Sequence, residues 1–193
     1  MEQDDSAPSW NRLYEVAAAQ EGHFTAAQAA AAGYSPQLLN KYLHNGRITR
    51  VRRAIYRIVH FPAGEHEDLT VLWLWSERTG VFCLETALAL YELSDVLPAS
   101  VHMLLPRSWR RRRLQIPRGL VVHHADLEAG ERTWCGSVPV TTPARTLRDC
   151  AAGNVSPDIV RQALDEGLER GLFTRSEVTA VEAFLARFEE PLR

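Results

Sequence analysis

One stretch constrains this chain more than any other. From Ser35 to Pro62 there are six basic residues and no acid, and the order of structural signals inside it is fixed. Ser35 followed by Pro36 is a helix start, because serine caps the free N–H groups and proline is tolerated in the first turn. Asn45-Gly46 is a helix stop. The apolar period then changes. Ile48, Val51, Ile55, Tyr56 and Ile58 suit two short strands, with Arg52-Arg53 at the turn. A helix feeding a basic hairpin is a restrictive combination.

The residues before it complete the pattern. Trp10, Leu13 and Ala17 mark one face of a helix from Trp10 to about Glu21, stopped by Gly22. Thr25 with Gln28 three residues on is a capping box that opens a second helix, and Gly33 closes it. Three helices and a hairpin within residues 1–62 predict a winged helix-turn-helix, with residues 1–9 as a flexible polar tail. Phe61-Pro62-Ala63-Gly64 is the expected boundary.

Residues 63–193 read as a mixed α/β domain, so the fold class expected for the whole chain is α+β. Helices are expected from Glu65 to Thr79 and from Leu84 to Tyr91. Val101–Leu105, Leu120–His124 and the Val138/Val140 pair read as strands. Thr142-Pro143 and Ser156-Pro157 repeat the helix-start signal, and Thr174 with Glu177 forms another capping box before a last helix. Gly171-Leu172-Phe173-Thr174 echoes Gly22-His23-Phe24-Thr25. We read the echo as a shared helix start and not as a duplicated domain, because no wing follows the second copy.

The third helix carries the candidate site. Leu38, Leu39, Tyr42 and Leu43 define its core face. Gln37, Asn40, Lys41 and His44 lie at i, i+3, i+4 and i+7 and point outward together, with Ser35 at the helix start. Glutamine and asparagine can pair with adenine through two hydrogen bonds, and lysine reaches guanine or phosphate. Arg47, Arg50, Arg52, Arg53 and Arg57 follow in the hairpin, where phosphate contact needs such charge. A polar helix face alone is ordinarily only solvated. Followed at once by an acid-free, arginine-rich hairpin, it reads as a DNA-contacting face.

The chain as a whole has net charge −2, so basicity is local. Residues 63–106 hold seven acids and one arginine. From Arg107 to Arg118 there are six arginines and no acid. Within that run Arg110, Arg111, Arg112 and Arg113 sit between two expected strands. They read as a loop that is either solvated or in contact with phosphate or an acidic partner surface. His123-His124 are adjacent in a strand and face opposite ways, which makes them poor joint metal ligands. Arg145 is placed to pair with Asp149 four residues on.

Catalytic signals are missing. The GxSxG, GxxxxGK, HExxH and GxGxxG patterns do not occur. The three cysteines are far apart, with no CxxC, so no cysteine-based metal site is expected. No catalytic residue, cofactor or metal is expected. An acidic polar N-terminus and the lack of any apolar run of bilayer length predict a cytoplasmic protein without membrane contact.

Gly22-His23-Phe24-Thr25-Ala26-Ala27-Gln28-Ala29, Gly33, Asn45-Gly46-Arg47-Ile48 and Arg50-Val51-Arg52-Arg53 leading into Ile55-Tyr56-Arg57 resemble the N-terminal domain of AbiEi-type antitoxins. Thr86-Ala87-Leu88-Ala89-Leu90, Val101-His102-Met103 and above all Val138 through Asp149 resemble that family's second domain. The resemblance implies an antitoxin of a type IV, abortive-infection toxin–antitoxin system. Such a protein represses its own operon by binding inverted repeats; a homodimer is expected because repressors of this plan often bind paired half-sites. It counteracts a nucleotidyltransferase-like toxin through the second domain. One departure stands out. The family has glycine before the aliphatic-Tyr pair of the wing, where this chain has Ala54. A related group fuses the same front end to a nuclease. Against it, the chain ends soon after Arg145-Thr146-Leu147, and no lysine follows Lys41. A stand-alone winged-helix regulator and a protein-interaction module remain as alternatives.

Overall fold

A computed structural model describes residues 7–153 and 155–188. Of the expected tail, residues 1–6 lie outside the described residues. Of the described residues, those up to Arg78, together with Gly136–Val138, form one compact unit, and the others from Thr79 onward form a second.

The first unit opens with α1 (Trp10–Ala18), β1 (His23–Thr25), α2 (Ala26–Ala31), α3 (Pro36–His44), β2 (Ile48–Arg52) and β3 (Ile55–Ile58), and closes with α4 (Glu67–Trp75). The cap chemistry explains the helix starts. Ser9 accepts from the Arg12 N–H, and Ser35 from the Leu38 N–H. Thr25 and Gln28 exchange both bonds of a capping box. Ser9, assigned to the tail from sequence, is thus the cap of α1, and its own N–H bonds the Ala32 carbonyl at 2.9 Å.

Helix α1 stops at Ala18, short of the expected Glu21. The backbone turns back through positive φ at Glu21 and Gly22 (51° and 82°). A Cβ on Gly22 would lie 2.7 Å from the Phe61 side chain, so only glycine fits. The turn launches β1, a strand the sequence analysis lacks. β1 pairs antiparallel with β3, which pairs with β2, in the order β1-β3-β2. This is a winged helix-turn-helix. Its core is Leu13, Ala17, Phe24, Ala29, Tyr34, Leu39, Ile48, Tyr56 and Ile58.

The wing differs in detail from expectation. Arg52 is still in β2, and the turn is Arg53-Ala54. The register passes from Arg50↔Tyr56 to Arg52↔Ile55, so Val51 is the extra residue of a bulge. That is why Val51, expected among the strand's apolar set, is 43% exposed. Ala54 has φ 59°, the left-handed conformation glycine supplies without strain. Ala54 thus holds this turn position at a cost in backbone energy.

The second unit comprises β4 (Val81–Phe82), α5 (Leu84–Leu90), β5 (Val101–Leu105), a 3-10 turn (Arg107–Arg111), β6 (Leu120–His124), β7 (Arg132–Cys135), β8 (Val138–Thr141), α6 (Pro143–Ala152), α7 (Pro157–Glu169), a second 3-10 turn (Arg175–Glu177) and α8 (Thr179–Ala186). The sheet order is β6-β5-β4-β8-β7. β5 runs parallel to β6 and β4 parallel to β8, while β4 and β5 are antiparallel. The helices bury Leu88, Leu147, Cys150, Val160, Leu164, Val181 and Leu185 in one cluster. Thr174 and Glu177 form the expected capping box, but it opens the 3-10 turn, and α8 starts only at Thr179. No helix among the described residues is long and apolar enough to cross a membrane.

Candidate nucleic-acid interface

Helix α3 presents the expected face. Gln37, Asn40, Lys41 and His44 are exposed, as is Ser35 at the cap, while Leu39 is 5% exposed on the opposite side. His44 Nδ1 lies 2.8 Å from the Asn40 carbonyl. A carbonyl only accepts, so Nδ1 carries the proton and donates. The ring is thereby oriented, and Nε2 is left facing away from the helix backbone. Ser35 spends one lone pair on the Leu38 N–H and keeps its hydroxyl proton for a further acceptor.

The arginines divide into groups with different geometry. Arg47 lies over the Tyr42 ring at 5.3 Å from its centroid, and Arg50 over Tyr56 at 5.6 Å. Tyr42 is itself braced by Trp10 and Tyr34, at centroid distances of 5.8 and 5.5 Å. Tyr42 and Tyr56 thus each hold a cation, whereas in sequence they read only as core and strand residues. The cross-strand partnership Arg50↔Tyr56 is visible only once the hairpin register is known. Arg52 and Arg53 are exposed at the wing tip. Among the described residues, no carboxylate pairs with Lys41, Arg47, Arg50, Arg52 or Arg53.

Arg57 is placed apart from this face. Its Nη2 donates to Glu67 Oε1 at 2.6 Å and to the Phe61 carbonyl at 3.0 Å, and its Nη1 donates to the Ile58 carbonyl at 3.2 Å. The side chain is 17% exposed. Partial burial alone would raise the Glu67 carboxyl, but Arg57 and the Gly64 N–H together hold it below the ordinary carboxylate range. Arg57 is therefore occupied with joining β3 to α4, and its charge is already balanced.

Arg110, Arg111, Arg112 and Arg113 belong to the second unit and are all exposed. The expected loop is partly a 3-10 turn, covering Arg107–Arg111, with Arg112 folded over the Trp109 ring at 3.8 Å from its centroid.

Elsewhere in the second unit, Arg145 Nε bonds both Asp149 oxygens at 2.8 and 2.9 Å, as the four-residue spacing implies. Glu131, just before β7, joins them, accepting from Arg145 Nη1 and from Arg148 Nη2. Adjacent strands bring His102 and His123 together, with Nδ1 and Nε2 at 3.0 Å. The rings are near-parallel, with 5.3 Å between centroids, and one ring nitrogen donates to the other. No spacing rule in sequence gives this pair, because it depends on the parallel register Leu104↔His123 and Met103↔Val122. No cluster of three or more potential metal ligands occurs among the described residues. Burial pushes the Cys83 and Cys150 thiols well up, which keeps both protonated.

Residues 11–59 match the family model described as transcriptional regulator, AbiEi antitoxin. The match spans the elements from α1 through β3, which include every residue of the exposed α3 face and the wing. No curated protein matches the chain. Among solved structures, the RV2827C protein from Mycobacterium tuberculosis aligns over 98% of this chain and 85% of that one. It does so at 14% identity with a TM-score of 0.42.

Proposed function

We propose that this protein is an antitoxin and transcriptional autorepressor of a type IV toxin–antitoxin operon, acting in the cytoplasm. The observation that carries the reading is the α3 face of Gln37, Asn40, Lys41 and His44, flanked by cations that no carboxylate of the described residues neutralises. Water alone can satisfy an exposed cation, but several beside one helix face build a local positive potential. Leaving them unpaired fits a polyanion that supplies the counter-charge on binding.

In this reading residues 1–62 form the DNA-binding domain. Gln37 and Asn40 read base edges, Lys41 and His44 reach bases or phosphate, and Ser35, Arg47, Arg50, Arg52 and Arg53 hold the backbone. Arg57 acts one step back, by fixing β3. The operator is an inverted repeat upstream of the protein's own operon, bound by a homodimer. Residues 63–193 counteract a nucleotidyltransferase-like toxin. Support for that part is the resemblance of Val138 through Asp149, whose Arg145 is locked by Asp149 and Glu131.

A gel-shift titration on the DNA upstream of its own reading frame tests the DNA half. A specific shift that survives random competitor supports it, and no shift even at low salt defeats it. A nucleotidyltransferase reading frame immediately beside the gene supports the antitoxin assignment. Its absence favours a stand-alone regulator.

A further inference from the structure

The second unit holds a basic element that the winged helix does not explain. β5 and β6 are parallel neighbours, so the chain must travel from the C-terminal end of β5 back to the N-terminal end of β6. Parallel neighbours usually make that journey through a helix packed on the sheet. Here the connection is Pro106 to Gly119, and it contains all six arginines of the Arg107–Arg118 run and no acid.

The connection is anchored at both ends. The Arg107 N–H bonds Asp126 Oδ1 at 3.1 Å, just past the C-terminal end of β6. The Gly119 carbonyl accepts from the Val101 N–H at 2.8 Å, at the N-terminal end of β5. The connection thus runs from one end of the strand pair to the other, with five of its arginines in or just after the 3-10 turn and Arg118 at the far end. It spans a strand pair that, at five residues of about 3.3 Å each, is about 16 Å long. Internal bonds fix its course: Trp109 N to the Pro106 carbonyl, Arg112 N to the Trp109 carbonyl, and Leu120 N to the Pro117 carbonyl, with Pro117 buried.

All six guanidinium-bearing residues are exposed. Among the described residues, no carboxylate pairs with Arg107, Arg110, Arg111, Arg113 or Arg118. Arg112 sits over the Trp109 ring at 3.8 Å from its centroid. A rail of always-charged guanidinium groups with fork geometry matches a run of phosphates. Along one strand of duplex DNA phosphates recur about every 3.4 Å of axis, so about five fall within this length. An acidic protein surface offers no such regular line of charge.

We propose that the Arg107–Arg118 crossover is a phosphate rail that binds a nucleic-acid backbone without regard to sequence, independently of the winged helix. The backbone is that of a duplex or of a single strand. The proposal does not rest on the reading of α3.

The experiment separates the two surfaces. The full chain carrying Arg52→Ala and Arg53→Ala is compared with the same chain carrying Arg110→Gln, Arg111→Gln and Arg113→Gln in addition. Fluorescence anisotropy follows a random duplex of about 30 base pairs, an oligothymidylate of about 30 nucleotides and polyglutamate over a salt series. Expected is residual binding by the double variant that the added glutamines weaken at least about tenfold. The log–log salt slope should drop by about 2.7 on duplex or about 2.1 on single strand, for three phosphates no longer neutralised. The nucleic acid that shows its drop identifies the source. Arg→Lys at the same three positions should restore the slope. Unchanged affinity and slope on both nucleic acids overturn the proposal. So does a loss confined to polyglutamate, which would assign the rail to an acidic protein. An unchanged urea midpoint verifies that the exposed substitutions leave the fold intact.

Discussion

Arg57 Nη2 donates to Glu67 Oε1 at 2.6 Å, tying the last strand of the wing to α4. The pair is less than one-third exposed at either end, and Arg57 also serves the Ile58 and Phe61 carbonyls. Arg57→Ala should therefore lower stability by about 1–3 kcal/mol, because it strands Glu67 and two carbonyls while solvent screens part of the loss. Arg52→Ala should change stability by less than about 0.5 kcal/mol, as an exposed wing-tip residue. Urea unfolding of the two variants checks the contrast. Equal losses would mean that Arg57 is not the tie described.

Binding to DNA should show the opposite ranking. Arg52→Ala with Arg53→Ala should weaken binding to every sequence and reduce the salt slope by about 1.8, one increment for each of two phosphates left without its cation. Titrations on operator and random duplex at several salt concentrations measure it. An unchanged slope would remove the wing from the interface.

Asn40→Ala should act on sequence preference. It sits in the middle of the exposed face of α3. Removing a bidentate base contact costs about 1–3 kcal/mol on the cognate site and little on random DNA. Competition assays with both DNAs give the difference, and equal losses on the two would count against base reading by Asn40.

Ala54→Gly should stabilise the first unit by about 0.5–1 kcal/mol, since glycine takes the φ of 59° without the Cβ clash but adds entropy to the unfolded chain. Thermal melts of the variant test this. Destabilisation would show that the turn holds alanine comfortably.

Acid should destabilise the protein well before its carboxylates titrate. Burial holds His23 below its ordinary 6.5, and burial with the neighbouring His102 does the same for His123. Above 6.5 both are neutral in folded and unfolded chains. As pH falls below it, the unfolded chain takes up protons first, so stability is lost through the folded values. Each histidine contributes up to about 1.4 kcal/mol per pH unit in that window. Urea midpoints between about pH 7.5 and 5.5 measure the loss, and His23→Gln should flatten it. A midpoint that rises toward the acid end would contradict the burial argument.

The local chemistry of the fold was legible in sequence. Ser35-Pro36 and Thr25/Gln28 are short-range signals whose partners lie within one turn, and each cap forms where expected. The α3 face was legible for the same reason, since helical period alone decides which side Gln37 and Asn40 occupy. What escaped depends on partners far along the chain. β1 has three residues with His23 and Phe24 both buried, so it shows no alternation. β4 has two residues. In β7, Trp134 is 53% exposed beside Arg132, a poor strand signature. Arg57 looked like one more wing cation because nothing local distinguishes it from Arg52. Its partner Glu67 comes from the next helix, beyond the expected boundary.

The parallel pairing of Phe82 with Val140 also orders events in time. The hairpin of β2 and β3 closes across one short turn, and the core that includes Leu13, Phe24, Leu39 and Ile58 is complete once Ile58 is available. In the five-stranded sheet the middle strand β4 gains its second neighbour only when β8 arrives, after β5, β6 and β7 have been made. Contacts between distant segments form slowly, and chains fold from the N-terminus as they leave the ribosome. The helix and wing would then be assembled on the nascent chain before the sheet can close.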